Sequence, residues 1–281
     1  MTSAFKLACV QTTSGPDIDA NIKHVSDIVR SARDAGANFI GLPEVVNIME
    51  MDRKTLANKI TNESADQMLI QMRGLAEELG VWILIGSIVV KHETSIDQRG
   101  RPKFANRSIL VDDKGVVRAR YDKIHMFDVS LGSGESYQES KAYEPGRHST
   151  LCETPWGLFG LTVCYDVRFP YLFRDLAKSG AQLLSVPSAF TRQTGHAHWH
   201  ILLQARAIEN GCFIIAPAQC GDHGSGRTTY GHSLIVSPWG EILADAGEEP
   251  GFIVADIDMN LVKTARSKVP SINNDRVYTR L

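Results

Sequence analysis

Nowhere in its 281 residues does the chain contain a CxxC pair. Its five cysteines, Cys9, Cys152, Cys164, Cys212 and Cys220, are odd in number and widely spaced. That pattern argues against a zinc centre or a disulfide framework and for a reducing, cytoplasmic setting. No window is long and apolar enough to cross a bilayer. The opening Met1-Thr2-Ser3-Ala4-Phe5-Lys6 has no basic region ahead of an apolar core, so no signal peptide is expected. An excess of one charge sign is also missing. The formal net charge of −2 offers no field to recruit nucleic acid or an anionic membrane.

What is present is an ordinary soluble composition, 43% hydrophobic and 22% charged. No compositional break divides it, so residues 1–281 are expected to form a single domain whose core needs no disulfide or metal. Strand-like and helical stretches alternate. Residues 6–11, 38–42 and 81–88 read as strands, the last apolar throughout, as in a strand covered on both faces. Residues 21–34 and 65–78 read as helices ending near Gly36 and Gly80. Residues 104–112 and 115–121 read as a hairpin. In the second half, strands are expected at 157–163, 182–186, 212–216, 233–236 and 253–257. Helices are expected at 170–179, 197–209 and 260–267. Residues 90–104 and 221–226 read as exposed loops, and 129–145 as a longer polar loop flanking an active site.

The two halves echo one another. Residues 33–44 and 176–188 both run helix, glycine, strand, proline, polar residue, ending in Leu42-Pro43-Glu44 and Val186-Pro187-Ser188. Two related α/β halves place both polar residues at the carboxyl ends of strands, the edge where open α/β sheets hold ligands.

Four side chains stand where chemistry is possible. Cys164 ends the apolar run Leu161-Thr162-Val163 and is followed at once by Tyr165-Asp166-Val167-Arg168-Phe169-Pro170. That is a buried strand entering a tight turn before a helix. A thiol there is either an inert core residue or a nucleophile held rigidly at a cleft. Glu44, after a proline at a strand end, reads as a half-buried carboxylate with a raised pKa, suited to general-base work, or as a helix cap. Lys123, just past the hairpin, is either a solvated lysine or an oxyanion donor. Glu139 is a loop acid that either positions substrate or holds Lys123.

Leu42-Pro43-Glu44, Tyr121-Asp122-Lys123-Ile124-His125 and Thr162 to Pro170 occur in that order. Together they resemble the Glu-Lys-Cys triad of the nitrilase superfamily of carbon–nitrogen hydrolases. Glu139-Ser140, followed by Pro145-Gly146, is similar to that family's second glutamate. The resemblance implies an α/β fold, a four-layer α-β-β-α sandwich, and a cysteine acyl-enzyme mechanism without metal or organic cofactor. It makes Glu44 the base, Cys164 the nucleophile, and Lys123 with the Tyr165 backbone N–H the oxyanion donors. Glu139 then serves geometry and protonation near the leaving amine, and the products are a carboxylate and ammonia. It also implies a homodimer or larger homo-oligomer and a small-molecule amide as the only partner.

Residues 188–199, which hold Thr194-Gly195-His196-Ala197-His198-Trp199, and Arg227-Thr228-Thr229-Tyr230-Gly231-His232-Ser233 resemble the Nit branch of that superfamily. That likeness implies deaminated glutathione as substrate. The alternatives are α-ketoglutaramate, an N-carbamoyl amino acid or a nitrile, and, outside enzymes, a non-catalytic interaction protein. A carboxylated substrate needs cations, so Arg168, Arg192 and Arg227 are candidate ligands alongside Ser188, Phe190 and Thr191. Each arginine also reads as half of a structural ion pair, Arg192 and Arg227 more readily than Arg168. His196, His198, His200 and His232 carry no metal reading here, because no carboxylate or cysteine stands at ligand spacing from them. Many relatives carry Glu after the Arg-Phe-Pro turn, whereas this chain has Tyr171.

Overall fold

Two six-stranded sheets form the centre of the molecule. The first holds, in spatial order, Gly251–Asp258, Ala4–Gln11, Phe39–Gly41, Trp82–Ile96, Pro102–Val111 and Val117–Asp122. The second holds Ile242–Asp245, Leu234–Val236, Phe213–Ala216, Leu183–Ser185, Gly157–Leu161 and Thr150–Thr154. In each sheet three consecutive strands run parallel and the flanking strands pair antiparallel. This computed structural model describes residues 4–132, 135–224 and 226–280. Ser133 and Gly134 of the expected 129–145 loop, and Ser225 of the glycine-rich stretch, lie outside the described residues.

Side-chain alternation builds the layers. On Ala4–Gln11, Phe5, Leu7 and Cys9 face the second sheet, while Ala8 and Val10 face the helices Ile18–Asp34 and Gln67–Leu79. Phe39 and Phe159 meet across the sheets at 5.3 Å, and Phe5 stacks on Trp156 at 4.2 Å. On the far side, Pro170–Lys178 and Arg192–Asn210 lay Leu172, Phe173, Leu176, Trp199 and Leu203 on the second sheet. The result is the α-β-β-α sandwich the resemblance implied.

Gly86 lies where the two halves meet. A Cβ there would stand 1.9 Å from Leu42 O, 2.5 Å from Pro43 O and 2.6 Å from Pro187 Cβ. Only glycine lets both proline-containing strand ends close on one point.

The expected loops are more regular than their composition suggests. The ladder continues through Lys91–Phe104 and Ile96–Pro102, so residues 90–104 are mostly hairpin. Short two-stranded sheets, Asp128–Ser130 with Ser136–Gln138 and Cys220–Asp222 with Thr228–Tyr230, occupy the other two. Helix Arg53–Lys59 was not expected. It buries only Leu56, too little to leave a periodic signal, and is set by the Asp52 carboxylate accepting the Thr55 N–H. Helix Arg192–Asn210 begins at Arg192 rather than at 197, directly after the extended residue Thr191.

Candidate active site

Glu44 leaves the end of Phe39–Gly41, pinned by Leu42 N–H to Leu84 O at 2.8 Å and Val45 N–H to Ser87 Oγ at 2.8 Å. It is 4% exposed. Its Oε1 accepts from Lys123 Nζ at 3.0 Å and Asn106 Nδ2 at 2.9 Å, and its Oε2 accepts the Ala189 N–H at 2.8 Å.

Lys123 follows the strand Val117–Asp122 and is 2% exposed. Its N–H donates to Asn106 O at 3.0 Å, and its own carbonyl accepts the Gly146 N–H at 2.8 Å. A Cβ on Gly146 would lie 2.0 Å from Asp122 O, so the Pro145-Gly146 pair is what allows this approach. Lys123 Nζ also reaches Glu139 Oε1 and Oε2 at 3.0 and 2.8 Å. Glu139 opens the turn Glu139–Lys141, and the Phe127 N–H donates to its Oε2 at 2.7 Å.

Cys164 opens the turn Cys164–Arg168, as the sequence suggested. Its φ of +49° is a left-handed conformation that costs a non-glycine residue about 1–3 kcal/mol. Surrounding contacts enforce it. The Cys164 N–H donates to Pro187 O at 2.9 Å, and the Asp166 N–H to Val163 O at 3.1 Å. The amide between them is Tyr165 N–H. The fully buried Asp166 carboxylate accepts from Val163 N–H (2.8 Å), Tyr121 Oη–H (2.7 Å) and His125 N–H (3.1 Å). It therefore ties the cysteine turn to the segment that carries Lys123. The His125 ring spans Asp166 Oδ1 at 2.6 Å and Tyr171 Oη at 2.5 Å, which gives Tyr171 a place in the same brace.

Charge decides the resting state. Burial alone would raise the Glu44 pKa, but the Lys123 ammonium and hydrogen bonds from Cys164, Lys123 and Asn106 hold it below the usual carboxylate value. The sequence expectation of a raised pKa is corrected: burial is deeper than expected, and so is the compensation. Burial disfavours the charge on Lys123, yet Glu139 and Glu44 keep its pKa well above that of an ordinary lysine. The Cys164 thiol is pushed up, first by burial and then by the Glu44 carboxylate, with Lys123 pulling the other way. Two carboxylates already face one ammonium, so a thiolate would add uncompensated negative charge. The proton rests on sulfur, with a carboxylate beside it to receive it.

These groups share a cleft of about 230 Å³ that Glu44, Asn106, Lys123, Glu139, Cys164 and Tyr165 line. Of the expected substrate residues, Phe190, Thr191 and Arg227 also line it. Arg227 lies 4.8 Å over the Tyr137 ring and donates to Ala189 O at 2.6 Å. The other three are placed elsewhere. Ser188 Oγ turns back to Val186 O at 3.0 Å. Arg192, in the first turn of its helix, is exposed and pairs with Glu248 at 2.9 Å. Arg168 backs the wall, over Tyr165 and Phe190 at 5.9 and 5.3 Å, without lining the cavity. Tyr137, Tyr143, Thr194 and Asn106 line the cleft and were not anticipated. Asn106 left a signal: a lone amide inside a buried strand, Pro102–Val111.

The reason given for setting the histidines aside is also corrected. Asp245 stands between His200 (3.0 Å) and His232 (2.9 Å), so a carboxylate is within ligand reach. Each imidazole nitrogen concerned already hydrogen-bonds to that carboxylate.

The carbon–nitrogen hydrolase family model matches residues 6–267. The chain belongs to this family. It is 39% identical over 282 aligned residues to a protein of Synechocystis sp. named deaminated glutathione amidase, covering 98% of each. It is similar to the crystal structure of the C. elegans NitFhit protein, with TM-score 0.88 and 35% identity. That match covers 98% of this chain and 66% of the longer NitFhit chain. It is also similar to the structure of a mutant of the amidase from Nesterenkonia sp. AN1 that shows acrylamide added at the active-site cysteine, with TM-score 0.76 and 27% identity over 95% of this chain and 98% of that one. The carbon–nitrogen hydrolase is thus a hydrolytic amidase of the nitrilase superfamily.

Proposed function

We propose that Cys164, Glu44, Lys123 and Glu139 hydrolyse a small carboxylated amide through a thioester acyl-enzyme. One observation carries the reading: the only buried ammonium lining the described cleft is shared by two carboxylates beside a thiol at a strained turn. Glu44 takes the Cys164 proton as sulfur attacks the carbonyl carbon. Lys123 Nζ gives one hydrogen to Glu44 and one to the Glu139 pair, and the third meets the developing oxyanion together with Tyr165 N–H. Glu44 then returns its proton to the departing nitrogen and activates the water that opens the thioester. Glu139 holds the ammonium in place throughout.

The substrate reading is deaminated glutathione, which the Synechocystis relative's name records for that protein. That compound joins a keto diacid to cysteinylglycine through a secondary amide. Cutting it releases an amine, so cysteinylglycine replaces the ammonia expected of a primary amide. Arg227 supports the reading as a guanidinium lining the cleft and joined there to no carboxylate among the described ion pairs, whereas Arg53, which also lines it, is paired with Asp97. Arg168, Arg192 and Ser188 drop out of the substrate set on their placement.

A homodimer or larger assembly in the cytoplasm belongs to the same proposal. The exposed Ile201, Ile208 and Trp239 support association, and five free cysteines support a reducing compartment. Among the described residues no helix is long and apolar enough to cross a membrane.

The test is turnover of deaminated glutathione, α-ketoglutaramate, an N-carbamoyl amino acid and a nitrile, each with rapid quenching and mass analysis of Cys164. The expected result is the highest kcat/KM for deaminated glutathione and a substrate acyl mass on Cys164. A better substrate elsewhere in the panel ends the substrate assignment, and turnover without any Cys164 adduct ends the mechanism.

A further inference from the structure

Asn106 sits mid-strand in Pro102–Val111, 2% exposed. It touches Glu44, Glu139 and Lys123 alike. Its Nδ2 donates to Glu44 Oε1 at 2.9 Å and reaches Glu139 Oε1 at 3.4 Å, and its carbonyl accepts the Lys123 N–H at 3.0 Å. Its Oδ1 is buried with no partner among the described residues. An orphaned buried carbonyl is costly. Turning the amide over would press that carbonyl against two carboxylates, so the orientation is forced. The next two buried polar side chains of the strand, Arg107 and Ser108, have partners in Asp122 and Ile85 O, whereas half of this amide has none. The amide is retained at a cost to the fold, so its use lies with the carboxylates.

The two Glu44 oxygens are not equivalent. Lys123 and Asn106 both donate to Oε1, whereas Oε2 accepts one main-chain donor, the Ala189 N–H. Oε2 therefore has the free lone pair, in a cleft that Glu44, Cys164 and Ala189 line together. We propose that Asn106 is a positioning residue of the amidase cycle: with Lys123 it occupies Glu44 Oε1, so that the Cys164 proton travels to and from Oε2 alone. A neutral donor suits this place. A second cation would balance the cluster and leave a free thiolate at rest, and an acid would add a third negative charge.

The inference rests on the amidase reading, and the experiment separates the two. Wild type, Cys164→Ala, Asn106→Leu, Asn106→Ser and Asn106→Asp are compared for kcat and KM between about pH 5 and 9, with folding checked by circular dichroism. Asn106→Leu is expected to lose about 10–100-fold in kcat with KM within about two-fold, the signature of a misplaced catalytic group. Its acid limb is expected to move to higher pH, because a donor favouring the Glu44 carboxylate is gone. Asn106→Ser, with a shorter donor, falls between. Asn106→Asp is weakest at neutral pH and regains activity toward acid, where its protonated carboxyl donates as the amide did. If Asn106→Leu does not fold, the Ser and Asp profiles decide. Folded variants with a wild-type acid limb and kcat would overturn the proposal while leaving the amidase intact. Turnover that survives in Cys164→Ala would overturn both.

Discussion

The ends of Phe39–Gly41 and Leu183–Ser185 are built alike and put to different use. Each passes through an apolar residue and a proline to a polar one, and each gives its first amide to a parallel neighbour: Leu42 N–H to Leu84 O, and Val186 N–H to Ile215 O, both at 2.8 Å. Glu44 then extends into the cleft and meets Lys123. Ser188 folds back onto its own chain. The second half instead contributes main chain, since Pro187 O fixes the Cys164 amide and Ala189 N–H holds Glu44 Oε2. One half supplies the base, and the other supplies the frame that aims it. A repeated backbone thus marks a location, while side-chain reach settles which copy does chemistry.

The sharpest way to break this contrast is at Glu44. Glu44→Gln is expected to lower kcat by roughly 10²–10⁴-fold, the usual weight of a general base. The same change should speed alkylation of Cys164 by a neutral haloacetamide at pH 8. The Glu44 charge helps to keep the thiol protonated, so its removal lowers the thiol pKa and raises the thiolate fraction. Slower alkylation in Glu44→Gln would mean that the carboxylate serves sulfur only as base and that the charge argument fails. Lys123→Met should lose about 10²–10³-fold in kcat through the oxyanion. Its alkylation should move the opposite way, because the one cation that favours thiolate is gone. Parallel responses in the two variants would dissolve the distinction between base and cation.

Arg227 and Arg192 sharpen the comparison at the level of substrate. Arg227→Gln is expected to raise KM for a carboxylated amide by about 10–100-fold, the scale of one charge-assisted pair. An uncharged amide of similar size should be cleaved as before. Arg192→Gln should leave both within about two-fold, since its partner is an exposed glutamate. Equal penalties on charged and uncharged amides in Arg227→Gln would assign that arginine to the wall, through Tyr137, rather than to the ligand.

Much of this was legible in the residues. Apolar runs bounded by Gly and Pro located the central parallel strands and the helices that cover them, because burial on both faces leaves little freedom in composition. Glu44, Lys123, Cys164 and Glu139 were visible as ordered motifs. What escaped has physical causes. The hairpin beyond Val90 is held by backbone pairing with half-exposed side chains, which leaves no periodicity. The sign of the Glu44 shift depends on Asn106 and Lys123 arriving from distant strands. The surface pairing of Arg192 with Glu248 joins residues far apart in the chain, so no local pattern announces it.

The smallest expected effect lies at Ser188, where the second strand end could still prove to matter as the first does. Its hydroxyl is fully buried and bonded to Val186 O, so Ser188→Ala removes one internal hydrogen bond. That should cost about 0.5–1.5 kcal/mol of stability, read as a lowered midpoint in urea at unchanged slope. The Ser188 amide, which donates to Pro217 O at 2.9 Å, is untouched by the change, so Ala189 and Pro187 keep their places. Turnover should therefore stay within about two-fold of wild type. A loss of kcat approaching that of Glu44→Gln, with stability intact, would show that the hydroxyl acts on the reaction, and the division between a chemical half and a framing half would have to be abandoned.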